Sequence, residues 1–133
     1  MTTDAQDLLE RVAASLHEGW RQYHAARGRL FGPQRTSETH PHLLAWEELD
    51  TPSQNQDRFV AAMLLDEWSR GTLEAAGLPR AIHEAWRRWI VLQGRKHPHA
   101  QPYEVAHPAG GEDHETQALH VMPLLELARV SRL

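Results

Sequence analysis

The sequence predicts an all-α protein: a small helical domain with long ordered loops and a degenerate second helical repeat. Three observations predict it. Apolar residues recur at steps of three and four along several stretches, the spacing that gathers side chains on one helix face. No run of alternating β-branched residues flanks an Asn-Gly or Asp-Gly turn, so no hairpin is expected. The pattern His-Glu-x-Trp-Arg occurs twice, as His17-Glu18-Gly19-Trp20-Arg21 and His83-Glu84-Ala85-Trp86-Arg87. Gly28-Arg29 and Gly94-Arg95 follow the two copies at the same offset of 66 positions. Six identities in register, in residues as rare as Trp and His, argue for an internal duplication.

Each element has its own signal. Leu8, Leu9, Val12, Leu16, Trp20 and Tyr23 predict one face of a helix from Asp4 to about Arg27. Asp4 and Asp7 suit its start and Gly28 its end. Residues 28–42 contain Gly, Pro and Ser and predict a loop, from which Phe31, Arg35 and His40 project. His42–Leu49 predicts a short helix or turn offering Leu43, Leu44, Trp46 and Leu49 to the core. Thr51-Pro52-Ser53-Gln54 predicts a helix start, with Thr51 as cap, Pro52 in the first turn and Gln54 at the capping-box position. That helix runs to about Trp68, with Phe59, Met63 and Leu64 inward. A turn at 72–76 ends at Gly77. Pro79 opens a further helix to about Gln93, with Ile82, Trp86, Trp89, Ile90 and Val91 near the core. Lys96–Glu112, rich in His, Pro and Gly, predicts an ordered loop or flap. His114–Arg132 is helical again, with Pro123 expected to break or kink it.

Composition excludes several classes. A length of 133 residues suits one domain or two very small ones. The absence of Cys leaves no disulfide framework and no thiolate metal site. No stretch approaches the ~18 consecutive apolar residues of a membrane span. The first twenty residues carry acids rather than the apolar run of a signal peptide. A soluble cytoplasmic protein is the expectation. The net charge of −4 argues against binding a nucleic-acid polymer, which needs a basic surface. Nearly all positive charge is arginine, with Lys96 the only lysine; the guanidinium fork suits bidentate phosphate contacts.

The first 77 residues resemble the RyR domain, the helical repeat named after the ryanodine receptor and also found alone in bacteria and phages. The motifs that carry the resemblance are His17-Glu18-Gly19-Trp20, Arg29-Leu30-Phe31-Gly32, Arg35-Thr36, His40-Pro41-His42-Leu43, Trp46-Glu47-Glu48-Leu49 and Asp57-Arg58, in the family's order. Leu30 stands where the family usually has Trp, and Thr36 where it has Asp. Both departures fall in the loop expected to line a pocket. The second half, 78–133, looks like a degenerate and truncated copy packed on the first (1–77). In that copy Met122-Pro123-Leu124-Leu125-Glu126-Leu127 is similar to Leu44-Ala45-Trp46-Glu47-Glu48-Leu49. The resemblance implies ligand sensing. In ryanodine receptors tandem repeats of this type form a site in which an adenine-like ring stacks on the Trp of His-Glu-x-Trp. In prokaryotes RyR domains are associated with nucleotide-dependent conflict systems and their signalling.

The expected function is therefore non-catalytic binding of an adenine nucleotide or ADP-ribose-like signal, by a sensor or a sequestering protein. Trp20 stacks on the base, His17 orients it, Arg35 and Arg21 hold phosphate, Phe31 walls the pocket and Trp86 supplies a second indole. A homodimer is expected to cover apolar surface on Trp86, Trp89, Leu124 and Leu125. The alternative is a protein–protein interaction module with an exposed aromatic patch. Arg58 is expected to pair with Glu47, Glu48 or Asp57. No catalytic motif is present: there is no Gly-x-Ser-x-Gly, P-loop or Gly-x-Gly-x-x-Gly. His40-x-His42, His97-x-His99, His107 and His114 invite a metal, yet His-Glu-x-x-His is absent and no third ligand stands at a diagnostic spacing. No metal or cofactor is expected.

Overall fold

Helix α1 spans Asp4–Ala26 and is the longest element. Its inward face is Val12, Ala13 and Leu16, all fully buried, followed by His17. Glycine ends it as expected. Gly28 takes a positive φ of 80°, which turns the chain so that Arg29 N–H reaches back to the His24 carbonyl at 3.1 Å. The computed structural model describes residues 4–97, 99–106 and 114–130. His107 and part of the expected flap, 98 and 107–112, lie outside these.

The loop after α1 departs from the all-α expectation. Leu30–Phe31 (β1) and Thr39–His40 (β2) form a two-stranded parallel sheet, with Leu30 opposite Thr39. No hairpin signal marks it because side chains, rather than a strand pattern, hold it. The Thr36 hydroxyl accepts the N–H groups of Glu38 and Thr39 at 3.1 and 2.9 Å. The Thr39 hydroxyl donates to the Gln34 carbonyl at 2.7 Å. The Arg29 guanidinium donates to the Thr36 and Thr39 carbonyls. A Cβ on Gly32 would lie 2.7 Å from the Thr39 Cβ, so the close approach needs glycine there. Thr36 thus staples the loop, and Leu30 is 69% exposed; neither residue lines the cavity that Trp20 and Trp86 share.

A single 3-10 turn at Trp46–Glu48 leads into helix α2, Thr51–Ser69. The cap position falls on Asp50, one residue before the expected Thr51, and no side chain bonds there. Gln54 instead donates to the Trp46 carbonyl at 2.8 Å, tying the helix start to the preceding turn. A second 3-10 turn, Ala75–Gly77, runs directly into α3, Leu78–Leu92. Tyr103–Ala106 is a one-turn helix, α4, and α5 spans Glu115–Val130. Pro123 does not break α5. It stands on the exposed side of the helix, as does Leu119 one turn earlier.

One apolar cluster joins the four long helices: Val12 and Leu16 of α1, Val60, Leu64 and Trp68 of α2, Leu78 and Ile82 of α3, and Val121 and Leu125 of α5. It draws on residues from both sides of position 77. Helix α1 packs on both α5 and α2, and α3 packs on both α2 and α5. The second half is therefore not short of a long helix, because α5 supplies it. Met122–Leu127 lies within α5 and does not repeat the Trp46 turn. The apolar residues thought to require a second subunit are covered within the chain only in part: Leu125 is buried, while Trp86, Trp89 and Leu124 are half-buried. Leu124 and Trp86 pack against the core, and Trp89 sits 5.3 Å from the Phe59 ring. Val91, by contrast, is 66% exposed.

Candidate functional site

The duplicated motif forms the same local structure twice. In the first copy His17 Nε2 donates to the Leu44 carbonyl at 2.7 Å, and in the second His83 Nε2 donates to the Gln101 carbonyl at 2.6 Å. Carbonyls accept only, so both rings carry hydrogen on Nε2. Glu18 pairs with Arg21 at 2.9 Å and Glu84 with Arg87 at 3.2 Å, each one helical turn apart. Gly28 and Gly94 both adopt positive φ, 80° and 66°.

The copy extends beyond the helix. His40-Pro41-His42 recurs as His97-Pro98-His99. In each the first histidine's Nδ1 accepts the second's backbone N–H, at 3.0 and 3.1 Å. The first histidine also stands edge-on to the motif tryptophan. His40 lies 4.9 Å from the Trp20 ring and His97 lies 5.0 Å from the Trp86 ring. These two histidine pairs had suggested metal ligands; here they build tight turns that brace the indoles.

Trp20 is surrounded by histidine rings. His17 stacks near it at 5.6 Å, and His24 and His40 meet it edge-on at 4.7 and 4.9 Å. His24 Nδ1 accepts from the Arg29 guanidinium at 2.9 Å. Burial, with Arg29 beside it, holds His24 down to about 4. Burial, with Arg35 nearby, holds His40 down to about 3. Both rings are neutral in the fold, whereas histidines of the unfolded chain titrate near 6.5. Their contribution to stability is complete above that value and is lost as pH falls toward the folded values. The unfolding temperature is expected to fall continuously from pH 6.5 to 4 in a calorimetric pH series. A flat profile across that window would show that the rings protonate without penalty.

Both tryptophans open onto one cavity of about 350 Å³ between α1, α2 and α3. This is within the usual range for small-molecule pockets. Of the residues expected to bind ligand, His17, Trp20, Arg35 and Trp86 line it. Arg21 and Phe31 do not. Arg21 is engaged by Glu18, and Phe31 lies on β1 with 55% of its surface exposed. Arg58 is held by Glu10, at 2.9 and 2.7 Å, rather than by the acids near it in sequence. That ion pair holds the Glu10 carboxyl below its ordinary range.

The structure adds wall residues that were not among those expected to bind ligand: Arg95, Trp89, Gln93, His114 and Gln117, together with His40, His42 and His97. Two signals could have found some of them. Arg95 is the copy of Arg29, and the His-Pro-His repeat is visible once the second loop is allowed to be nine residues shorter. Gln117 had no local signal, and His114 had stood out only among the histidines that invited a metal. They enter through a buried chain in which His83 Nδ1 meets His114 Nε2 at 3.1 Å and His114 Nδ1 meets Gln117 Oε1 at 2.7 Å. Gln117 Nε2 then donates to the Leu16 carbonyl at 3.0 Å. The chain fixes α5 against α1 beside the cavity.

The cavity is electropositive. Arg35 and Arg95 are exposed. Among the described residues neither guanidinium makes an ion pair or a hydrogen bond, while Arg21, Arg58, Arg70, Arg80 and Arg87 each face a carboxylate. Asp57 is the one acid among the lining residues. Burial and these arginines depress His42 and His97 below the ordinary histidine value. Among the described residues, no helix is long and apolar enough to cross a membrane. The chain matches no family model and none of the curated proteins.

Proposed function

We propose that this cavity binds a small nucleotide-type ligand, an adenine nucleotide or an ADP-ribose-like signal, and returns it unchanged, as a sensor or a sequestering protein. One observation carries the reading: a single cavity combines three half-buried indoles, Trp20, Trp86 and Trp89, with two arginines that have no carboxylate partner among the described residues. Aromatic faces take a purine by stacking, and uncommitted guanidinium groups take phosphate bidentately. His17 keeps the place given to it but with a changed role. Its Nε2 is spent on Leu44, so only Nδ1, an acceptor, remains for a ligand. The reading accords with the resemblance to RyR domains, whose motif tryptophan corresponds to Trp20.

The test is a thermal-shift screen with ATP, ADP, AMP, NAD, ADP-ribose and cyclic nucleotides. A ligand at 100 times its dissociation constant adds about 2.7 kcal/mol to stability, several degrees for a chain of this size. The Trp20→Ala variant is expected to lose roughly tenfold to a hundredfold in affinity, from a stacking contact of about 1–3 kcal/mol. Wild-type affinity in a folded Trp20→Ala protein would remove Trp20 from the site. No shift with any nucleotide would favour the interaction-module reading, for which exposed Leu30 and Phe31 on β1 offer the surface.

A further inference from the structure

We infer that the site takes one ligand carrying two planar rings joined through phosphate, a dinucleotide, with one ring at each indole and the phosphate linker between them at the arginines. This rests on the nucleotide-binding reading above and narrows it to a ligand class.

The first ground is duplication around a single space. A cavity built from one motif would offer one aromatic station. Here Trp20 and Trp86 line the same cavity, each braced edge-on by the first histidine of its own His-Pro-His turn. The two stations are therefore alike in chemistry and in support. Two-station sites favour tethered ligands, because a second ring that arrives already linked has a high effective concentration at its own station.

The second ground is where the free positive charge sits. Arg35 belongs to the loop of the first copy, yet it acts electrostatically on His40 and His42 of that copy and also on His97 of the second. Arg95 belongs to the end of α3, yet it acts on His97 and also on His42. Each guanidinium thus lines the same cavity as both turns and lies within electrostatic reach of both. A mononucleotide carries its phosphate at one end of the molecule. A dinucleotide carries it in the middle, flanked by rings, which is the order this cavity presents. Both arginines are exposed while both indoles are half-buried, so the ligand folds with its rings inward and its linker at the mouth.

The experiment is calorimetric titration of the full chain with AMP, NAD, diadenosine diphosphate and cyclic 3′,5′-diadenylate. It is paired with fluorine NMR of protein labelled with 5-fluorotryptophan. Trp20→Phe and Trp86→Phe variants assign the two indole resonances and keep an aromatic ring in each place. The expected result is one dinucleotide per chain, bound at least 30-fold more tightly than AMP. The Trp20 and Trp86 resonances should shift together along one titration curve. The inference is overturned if two AMP molecules bind per chain with the affinity of the best dinucleotide. It is also overturned if AMP binds as tightly as any dinucleotide, or if only one of the two indole resonances responds. In those cases nucleotide binding itself stands. Binding of neither AMP nor any dinucleotide, by folded protein, overturns both readings.

Discussion

Replacing Arg35 and Arg95 together by Ala is expected to weaken nucleotide binding about 100-fold or more and to leave the fold in place. A hydrogen bond to a charged group is worth about 1.5–3 kcal/mol, and the double variant removes two such donors from the ligand's phosphate. Neither side chain supports the protein through an ion pair or a hydrogen bond among the described residues. The unfolding midpoint is therefore expected to stay within about 0.5 kcal/mol of wild type, as for surface changes away from special features. Salt gives an independent readout. Exposed charges are screened over about 8–10 Å at ordinary ionic strength, so wild-type affinity should fall as salt rises and the variant's should change little. Calorimetric titration at two salt concentrations decides it. Undiminished affinity in the double variant would place the ligand's charge elsewhere.

Gly19→Ala is expected to destabilise the protein, against its helix propensity. In an exposed helix this change gains roughly 0.5–1 kcal/mol. Here an added Cβ would lie 2.7 Å from the Gln117 Cα and 3.2 Å from the Thr116 carbonyl oxygen. Both are backbone atoms of α5 and cannot rotate away. Helix α5 must retreat from α1, which strains the Gln117–Leu16 bond and loosens Val121 and Leu125 in the core. Overpacking of this kind costs about 1–3 kcal/mol, so the net expectation is a loss of roughly 1–2 kcal/mol and a midpoint lower by several degrees. Thermal unfolding monitored by circular dichroism measures it. A midpoint above wild type would show that α1 and α5 are not in backbone contact at Gly19. Because Gln117 and Leu16 also line the cavity, the same variant should weaken nucleotide binding.

Much of the architecture was legible because local rules fix it. The spacing of Val12, Leu16 and Trp20, the glycines at 28 and 94, and the prolines at 52 and 79 place helix faces and ends within a residue or two. The break expected at Pro123 does not occur: α5 runs through it, with Pro123 on the exposed side of the helix. The parallel pair β1–β2 was invisible because Thr36, Thr39 and Arg29 hold it by side-chain bonds that no strand pattern encodes. Arg58 showed the same limit: three acids lay near it in sequence, and it chose Glu10 from another helix.

The sequence by itself showed the repeated motif and the helices, and it singled out His17, Trp20, Arg35 and Trp86, which line one cavity. It could do so because a rare motif repeated in register must build similar local structure wherever it occurs. Only the tertiary structure decided that the two copies face one cavity, that Arg95 joins Arg35 while Arg21 and Phe31 stand aside, and that His114 and Gln117 of α5 complete the wall. Those outcomes follow from which helix packs on which, and that is set by the whole buried surface rather than by any local pattern. The same packing brings the tryptophans of two amphipathic helices, Trp20 of α1 and Trp86 and Trp89 of α3, to one cavity.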